Sequence, residues 1–328
     1  ESGIFPASMF DVYKKIAKGE ITGVTVPAIN VRTDTLEQMR RIFRLAKEKN
    51  IGLLVLELAL SEKGYTAQPP AVYKATAYTA ALMEGYTGAI YLQADHYQIK
   101  ADKYAQSPEQ ARKDILKAIE EAIRADHFAI DLDDSVIVAP ELPQKVVDLE
   151  AEAPAPVTPS LSDKDKNIRT FAENAYSSWR AALGEEKIEA IKERVKNTLL
   201  RYNQQGFYSE IIAEIDAKLK QEKDAKKIKD LTDLRKRIQD FKQQIDDPVK
   251  VAQLSEELLI QQILNAQETA VGTILSRGLE PKGITITLGG EIGEVGGKNS
   301  EPGEFAAYLE LYNAILGYMT ENIKQGKV

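Results

Sequence analysis

The sequence predicts an α/β protein built on a (β/α) barrel of the TIM type, with about five strands visible and a long all-α insertion. Two observations lead to this fold class. Apolar runs of strand length alternate with amphipathic helical segments through residues 1–135, a pattern that barrels and doubly wound sheets share. Polar side chains follow the strands at their carboxyl ends, where a barrel collects its active site. The second observation favours the barrel.

The individual elements are predicted from breakers and from hydrophobic spacing. The first helix follows the N-cap candidates Thr33 and Asp34 and ends at Asn50. Later helices begin after the Pro69-Pro70 break and, with Pro108 in the first turn, at Ser107. The predicted strands cover residues 24–31, 51–60, 88–96, 127–133 and 283–288, and the predicted helices cover about 34–50, 70–84, 107–123, 264–279 and 305–323.

Changes in composition divide the chain into four segments. Residues 1–148 are predicted to form strands one to four of the barrel, and 149–161 a Pro/Ala-rich linker. A charged helical insertion fills 162–263, and 264–328 resume the barrel with a helix, strand five, a glycine-rich loop and a last helix. Heptad-like apolar stripes in the insertion predict a helical hairpin or small bundle that packs on itself or on a sister subunit. The stripes are Ile188, Ile191, Val195, Leu199 and Ile228, Leu231, Leu234, Ile238, Phe241, Ile245.

Composition also narrows the classes of function. The formal net charge of -7 argues against a nucleic-acid or anionic-membrane partner. No apolar run has the 18 or so residues of a membrane span, and the first residues do not resemble a signal peptide. Cysteine is absent, which excludes disulfides and thiolate metal ligands and fits a cytoplasmic location. Histidine occurs only at positions 96 and 127.

Two tracts contain candidate chemical groups. In the first, Asp95-His96 follows a strand, where the imidazole can bind a metal and the carboxylate can orient it or transfer a proton. Such a pair is also a common structural hydrogen bond. In the second, residues 289–297 are rich in glycine, which lets the backbone approach an anionic ligand, and Glu291 is expected at the barrel mouth. A tight turn with solvated glutamates is the alternative.

Four motifs, in order on successive strands, resemble those of the class II, zinc-dependent fructose-bisphosphate and tagatose-bisphosphate aldolases. Residues 27–31, PAINV, resemble the first-strand signature of that family, and residues 94–96, ADH, its third-strand Asp-His motif. Residues 129–132, AIDL, resemble its fourth strand, and Glu291 beside a Gly-Gly pair resembles its fifth-strand glutamate and glycine loop. The resemblance covers about residues 6–137 and 264–328 and leaves the insertion outside.

The resemblance implies a lyase that reversibly cleaves a ketose (bis)phosphate, such as fructose 1,6-bisphosphate, through a metal-stabilised enediolate. It implies Zn²⁺, or another divalent metal, in an environment formed by His96, Asp131 and Glu291. Asp95 would be the acid/base that moves the proton of the substrate hydroxyl. The implied contacts to the sugar phosphate are Asn30, Gly296, Gly297, Lys298 and Asn299.

The sequence departs from the family in its histidines. The second and third zinc histidines of the family have no counterpart, and His127 begins the fourth strand, on the face of the barrel opposite the site. We therefore expect weak zinc binding and an incomplete piece that a C-terminal segment or a complementary subunit completes. A homo-oligomer is expected as well. Two alternatives are a non-catalytic scaffold or sugar-phosphate-binding subunit, and a structural protein whose insertion drives assembly.

Overall fold

The computed structural model of the chain describes residues 3–140, 161–293 and 300–327. The described residues confirm an α/β protein with a parallel sheet. They form two compact units, which we call the sheet unit and the helical unit. The sheet unit comprises Glu1–Ile137 and Glu268–Glu291, and the helical unit comprises Val138–Gln267 and Ile292–Val328. No described helix is both long enough and apolar enough to cross a membrane.

All strand pairs of the sheet unit are parallel. From β2 to β6 the strands lie side by side in chain order, and β1 pairs with the first residues of β4. In a doubly wound fold the strand order reverses at one point of the sheet. Within the described sheet the order from β2 to β6 does not reverse. The strands are β1 (Ile4–Pro6), β2 (Ala28–Asn30), β3 (Val55–Ala59), β4 (Gly88–Gln98), β5 (His127–Asp133) and β6 (Thr287–Gly290).

The sheet unit carries six helices and the C-terminal part of a seventh. Ser107 caps the sixth helix, because its side chain accepts a hydrogen bond from the N–H of Gln110. Asn50 ends the second helix in a left-handed conformation with a φ of 52°, as its predicted role requires. The helices are α1 (Phe10–Ala17), α2 (Thr35–Lys49), α3 (Leu60–Tyr65), α4 (Pro70–Met83), α5 (Ala101–Gln106) and α6 (Pro108–Arg124), and a 3₁₀ turn covers Ser135–Ile137.

The two faces of the sheet differ in character because successive side chains of a strand point to opposite sides. One face is apolar and packs against α2 and α4, and the core there includes Leu56, Leu92, Phe43 and Tyr73. The other face is polar towards the carboxyl ends of the strands. The pairing registers place on this polar face Asn30, Glu57, Gln93, Asp95, Asp131 and Gly289.

The helical unit is formed by long helices. Its buried stripe on α8 is confirmed, since Ile188, Ile191, Val195 and Leu199 have no exposed surface. The stripe on α10 is less buried: Ile245 is buried, Leu231, Leu234, Ile238 and Phe241 are partly buried, and the helix packs on α9 and α8. The helices are α7 (Asp163–Leu183), α8 (Glu185–Gln204), α9 (Phe207–Leu219), α10 (Ala225–Asp246), α11 (Pro248–Gly278) and α12 (Pro302–Lys324).

The two compact units do not coincide with the segments that were predicted from composition. The segment 264–328 was expected to resume the barrel as a whole, whereas α12 belongs to the helical unit, where it packs on α8 and α7. Gly303 explains the close approach, since a Cβ at this position would lie 2.5 Å from Cδ2 of Leu199. Helix α11 is longer than predicted, and its residues are shared between the two units.

Candidate functional site

The candidate site lies on the polar face of the sheet unit, at the carboxyl ends of β3, β4 and β5 and just after β6. His96 lies where the register between β4 and β5 shifts, and its φ of 46° is unusual for a residue other than glycine. Its N–H donates a hydrogen bond to Oδ2 of Asp131, at 3.3 Å, and its side chain is half exposed. The irregularity of β4 thus presents the imidazole at the end of the sheet.

Three carboxylates surround one nitrogen of the His96 ring. Nδ1 lies 3.4 Å from Oδ2 of Asp131, 3.5 Å from Oε1 of Glu291 and 3.8 Å from Oδ1 of Asp95. These residues come from the end of β4, from β5 and from the residue after β6. The structure therefore brings together the four residues to which the sequence assigned the acid/base and the metal environment.

The carboxylates and the imidazole shift one another's proton affinity. Burial lowers the pKa of His96, but the charge of Asp95, a hydrogen bond with Asp131 and the charge of Glu291 outweigh it, so that the pKa is raised. Burial is the main cause of the raised pKa values of Asp95 and Asp131. For Glu291, burial followed by the charges of Asp133 and Asp131 raises the pKa to about 7. The site therefore concentrates negative charge that a cation would stabilise.

Glu57 is a further carboxyl of the same face that the sequence-based assignment left out. Its Oε2 accepts a hydrogen bond of 2.9 Å from Nε2 of Gln93, the residue opposite it in the β3–β4 ladder. Burial, and then the charges of Asp95 and Asp131, raise the pKa of Glu57 to about 7. The signal in the sequence was a glutamate three residues before the end of a predicted strand, a polar residue in an otherwise apolar run.

The donor atoms fit a divalent cation. Two sets, Asp95–His96–Asp131 and His96–Asp133–Glu291, each have ligand atoms within 4.8 Å of one another. Gly289 makes room for the Asp131 carboxylate, because a Cβ at position 289 would lie 2.9 Å from Oδ1 of Asp131. Each set contains one imidazole nitrogen and several carboxylate oxygens, and no second histidine. Oxygen-rich sets of this kind are typical of Mg²⁺ and Mn²⁺.

Asp133 has a different role from Asp131. Its Oδ1 accepts hydrogen bonds from the hydroxyl of Ser135, at 2.6 Å, and from the N–H of the same residue, and its Oδ2 accepts one from Gln98. Both oxygens are thus engaged by protein donors, and the carboxylate is almost fully buried. Asp133 therefore supports the loop after β5, and it also belongs to the second of the two sets of candidate ligands.

Asn30 is held at the carboxyl end of β2 by Glu62 of α3. The amide Nδ2 of Asn30 donates a hydrogen bond of 2.6 Å to Oε2 of Glu62, which also accepts from the N–H of Ala59. Arg32 forms an ion pair with the other oxygen of this carboxylate. Burial of Glu62 is offset by these hydrogen bonds, and its pKa is lowered. Glu62 thus fixes the orientation of Asn30 and keeps it at the end of the sheet.

The remaining predicted residues lie elsewhere. Gly296, Gly297, Lys298 and Asn299 lie outside the described residues. His127 is buried at the amino end of β5, away from the site, and its Nδ1 lies 2.9 Å from the carbonyl oxygen of Ala125. His127 therefore does not join His96, as its position at the start of a strand led us to expect. No family model, no curated protein and no solved structure matches the chain.

Proposed function

We propose that the chain carries the cation and acid–base groups of a class II aldolase-type site, which cleaves and forms a carbon–carbon bond of a ketose phosphate. The observation that supports this most is the group of Asp131, Glu291 and Asp95 oxygens within 3.8 Å of Nδ1 of His96. The chemistry needs an electron-withdrawing cation beside a proton acceptor, and the group supplies ligands for the first and a carboxylate for the second.

The arrangement of the sheet supports a barrel-type scaffold for this site. Strands β2 to β6 follow one another without reversal, and α2 and α4 pack against the same face. In a barrel this face is the outer one, and the polar residues of the opposite face gather at the carboxyl end. The proposed fold is therefore a (β/α) barrel of which the described residues form the strands β2 to β6.

The side chains have separate tasks in the proposed reaction. His96, Asp131 and Glu291 would hold a divalent cation, which when bound withdraws electrons from the ketose carbonyl. Asp95 is half-buried beside them and takes the proton of the substrate hydroxyl as the carbon–carbon bond breaks. Asn30, whose amide is fixed by Glu62, contributes a polar contact to the sugar.

The test separates cation binding from turnover. The full chain is titrated with Mn²⁺, Mg²⁺, Co²⁺ and Zn²⁺ by calorimetry, and aldehyde release from fructose 1,6-bisphosphate and tagatose 1,6-bisphosphate is then measured. We expect His96→Ala to abolish cation binding, and Asp95→Asn to retain it while turnover falls by about 10²- to 10⁴-fold. His127→Asn is the matched control, because it removes the other histidine of the chain and should change neither readout.

One observation favours a second candidate function. The only other histidine of the chain is buried at the amino end of β5, so this chain offers the site a single imidazole. A sugar-phosphate-binding scaffold without turnover would need no more than that. Calorimetric binding of the bisphosphates with no aldehyde release, in the presence of each cation, would indicate this scaffold and contradict the enzymatic proposal.

A further inference from the structure

Helix α12 has apolar residues on two of its sides. One side is buried and includes Ala307, Leu311 and Ile315, and the helix packs on α8 and α7 within the helical unit. A second line of apolar residues, which we call the outer stripe, is exposed or half-buried. The outer stripe consists of Phe305, Leu309, Tyr312, Leu316, Met319 and Ile323. A surface helix usually turns polar residues to solvent on the sides away from its core, so this second apolar line indicates a further contact.

The spacing of the outer stripe is that of a coiled coil. Its residues follow one another at intervals of four, three, four, three and four, the heptad pattern of alternating a and d positions. From Phe305 to Ile323 the stripe extends over about 27 Å, at 1.5 Å per residue. The side chain of Phe305 is 51% exposed and that of Ile323 is 42% exposed, so both ends of the stripe are open. The partner that fits such a stripe is a second helix with the same repeat.

The positions on either side of the outer stripe carry no charge. In a coiled coil these flanking e and g positions select the partner through ion pairs. Here they are occupied by Ala306, Tyr308, Asn313, Ile315, Thr320 and Asn322. A different helix with charged flanks would lose the hydration of those charges and find no opposite charge beside the stripe. A second copy of this chain brings neither an unpaired charge nor a repulsion to the same positions.

Charges at the two ends of α12 favour one direction for the second helix. Glu301 stands immediately before the helix and Glu304 lies in its first turn, whereas Lys324 is the last residue of the helix and Lys327 follows it. Two copies of α12 that run in opposite directions bring the acidic end of one helix to the basic end of the other, and their dipoles also attract. Two parallel copies would bring like charges together at both ends.

We propose that the outer stripe is the contact between two copies of this chain, with their α12 helices antiparallel about a twofold axis at the level of Ala314. A twofold contact uses the same surface on both copies, so it closes at the dimer. Helix α12 is already held by α8 and α7, and docking therefore does not include the cost of forming a helix. The layers of the contact pair Phe305 with Ile323, Leu309 with Met319, and Tyr312 with Leu316.

The test places opposite charges at the two exposed ends of the outer stripe. Phe305→Glu adds a carboxylate to the first turn of α12 and Ile323→Lys adds an ammonium group to the last turn, so each charge suits the helix dipole. Sedimentation of the full chain over a series of concentrations gives the dissociation constant of the dimer. We expect each variant to raise this constant by about 10- to 100-fold, because an apolar side chain is lost from both end layers. An equal mixture of the two variants should form a tighter dimer than either variant alone, because the new carboxylate then faces the new ammonium group.

Ile228→Lys is the matched control, since it charges an exposed apolar residue of α10 and should leave the dissociation constant unchanged. Recovery in the mixture also shows that both stripe variants are folded. An unmodified chain that is monomeric at every concentration overturns the proposal and would leave the outer stripe to a different partner. A dimer that both stripe variants leave intact overturns it as well, because its contact then lies elsewhere. Weaker dimers without recovery in the mixture overturn the antiparallel arrangement.

Discussion

His96 and His127 show how two residues of one type acquire different properties from burial. The side chain of His96 is half exposed among carboxylates that raise its pKa, whereas His127 is almost fully buried and its pKa falls to about 4. Burial is the main cause of the second shift, because the charged imidazolium loses its hydration. His127 packs beside the ring of Tyr73, with the ring centroids 6.1 Å apart.

The lowered pKa of His127 predicts a loss of stability in acid. Between the unfolded value of 6.5 and the folded value of about 4, the unfolded chain takes up a proton that the folded chain refuses. The free energy of unfolding should therefore fall by about 2 kcal/mol between pH 7 and pH 5 through this residue alone. Urea unfolding of the unmodified chain and of His127→Asn at both pH values measures the difference. An equal pH dependence of the two proteins would contradict the prediction.

Gly289 predicts a second effect at the scale of one residue. Gly289→Ala would place a Cβ 2.9 Å from Oδ1 of Asp131 and displace that carboxylate. We expect cation affinity to fall by about 10- to 100-fold, as when a residue that orients a metal ligand is changed. Calorimetric titration with Mn²⁺ is the measurement. Gly52→Ala is the matched control, since its Cβ would meet nothing within 4 Å, and a similar loss in this variant would contradict the explanation.

Helix α12 contains a matched pair of glycines that tests its packing. Gly303 is buried at its start, where a Cβ would lie 2.5 Å from Cδ2 of Leu199 and 2.9 Å from Cδ1 of Leu258. Gly303→Ala should lower the free energy of unfolding by about 1–3 kcal/mol, because the added methyl overpacks the core. Gly317 is exposed in the same helix with open space around it, and Gly317→Ala should raise stability by about 0.5–1 kcal/mol. Denaturant unfolding that gives both variants the same sign would contradict this assignment.

The elements that the sequence predicted well have strong local signals. The predicted strand 127–133 matches β5, and the predicted helix 70–84 matches α4 within one residue, because breakers and apolar periodicity agree there. The predicted strand 51–60 shortens to β3, which begins where pairing with β2 and β4 begins, at Val55. It ends at Ala59, since Glu62 accepts the N–H of Ala59 and α3 begins at Leu60. Strand β1 has only three residues, and its pairing with β4 depends on a distant part of the chain, so local periodicity did not indicate it.

The candidate site was predictable in part. Asp95, His96, Asp131 and Glu291 stand at strand ends, and parallel pairing brings such positions together. The engagement of Asp133 by Ser135 and Gln98 depends on the conformation of the loop after β5, which no spacing in the sequence specifies. Recognising the contribution of Glu57 requires the register of β3 against β4, because a shift by one residue would turn it to the apolar face.

At the scale of the whole molecule, the division into two units predicts two levels of protection from hydrogen exchange. Gly303 lies in the helical unit, so Gly303→Ala should accelerate exchange of the amides of α8 and α12. The amides of β3, β4 and β5, which belong to the sheet unit, should keep their rates. Hydrogen exchange followed by mass spectrometry measures both sets in one experiment. Equal acceleration in both units would show that the chain unfolds as one cooperative body.

The pairing of β5 with β6 has a consequence for the newborn chain on the ribosome. Ala129 pairs with Thr287, so the last strand of the sheet emerges roughly 160 residues after its neighbour. At synthesis rates of about 5–20 residues per second, one side of β5 stays unpaired for roughly 8–30 s. An open strand edge invites pairing with other chains. The long interval between these two strands thus prolongs the exposure of one edge of β5 during translation.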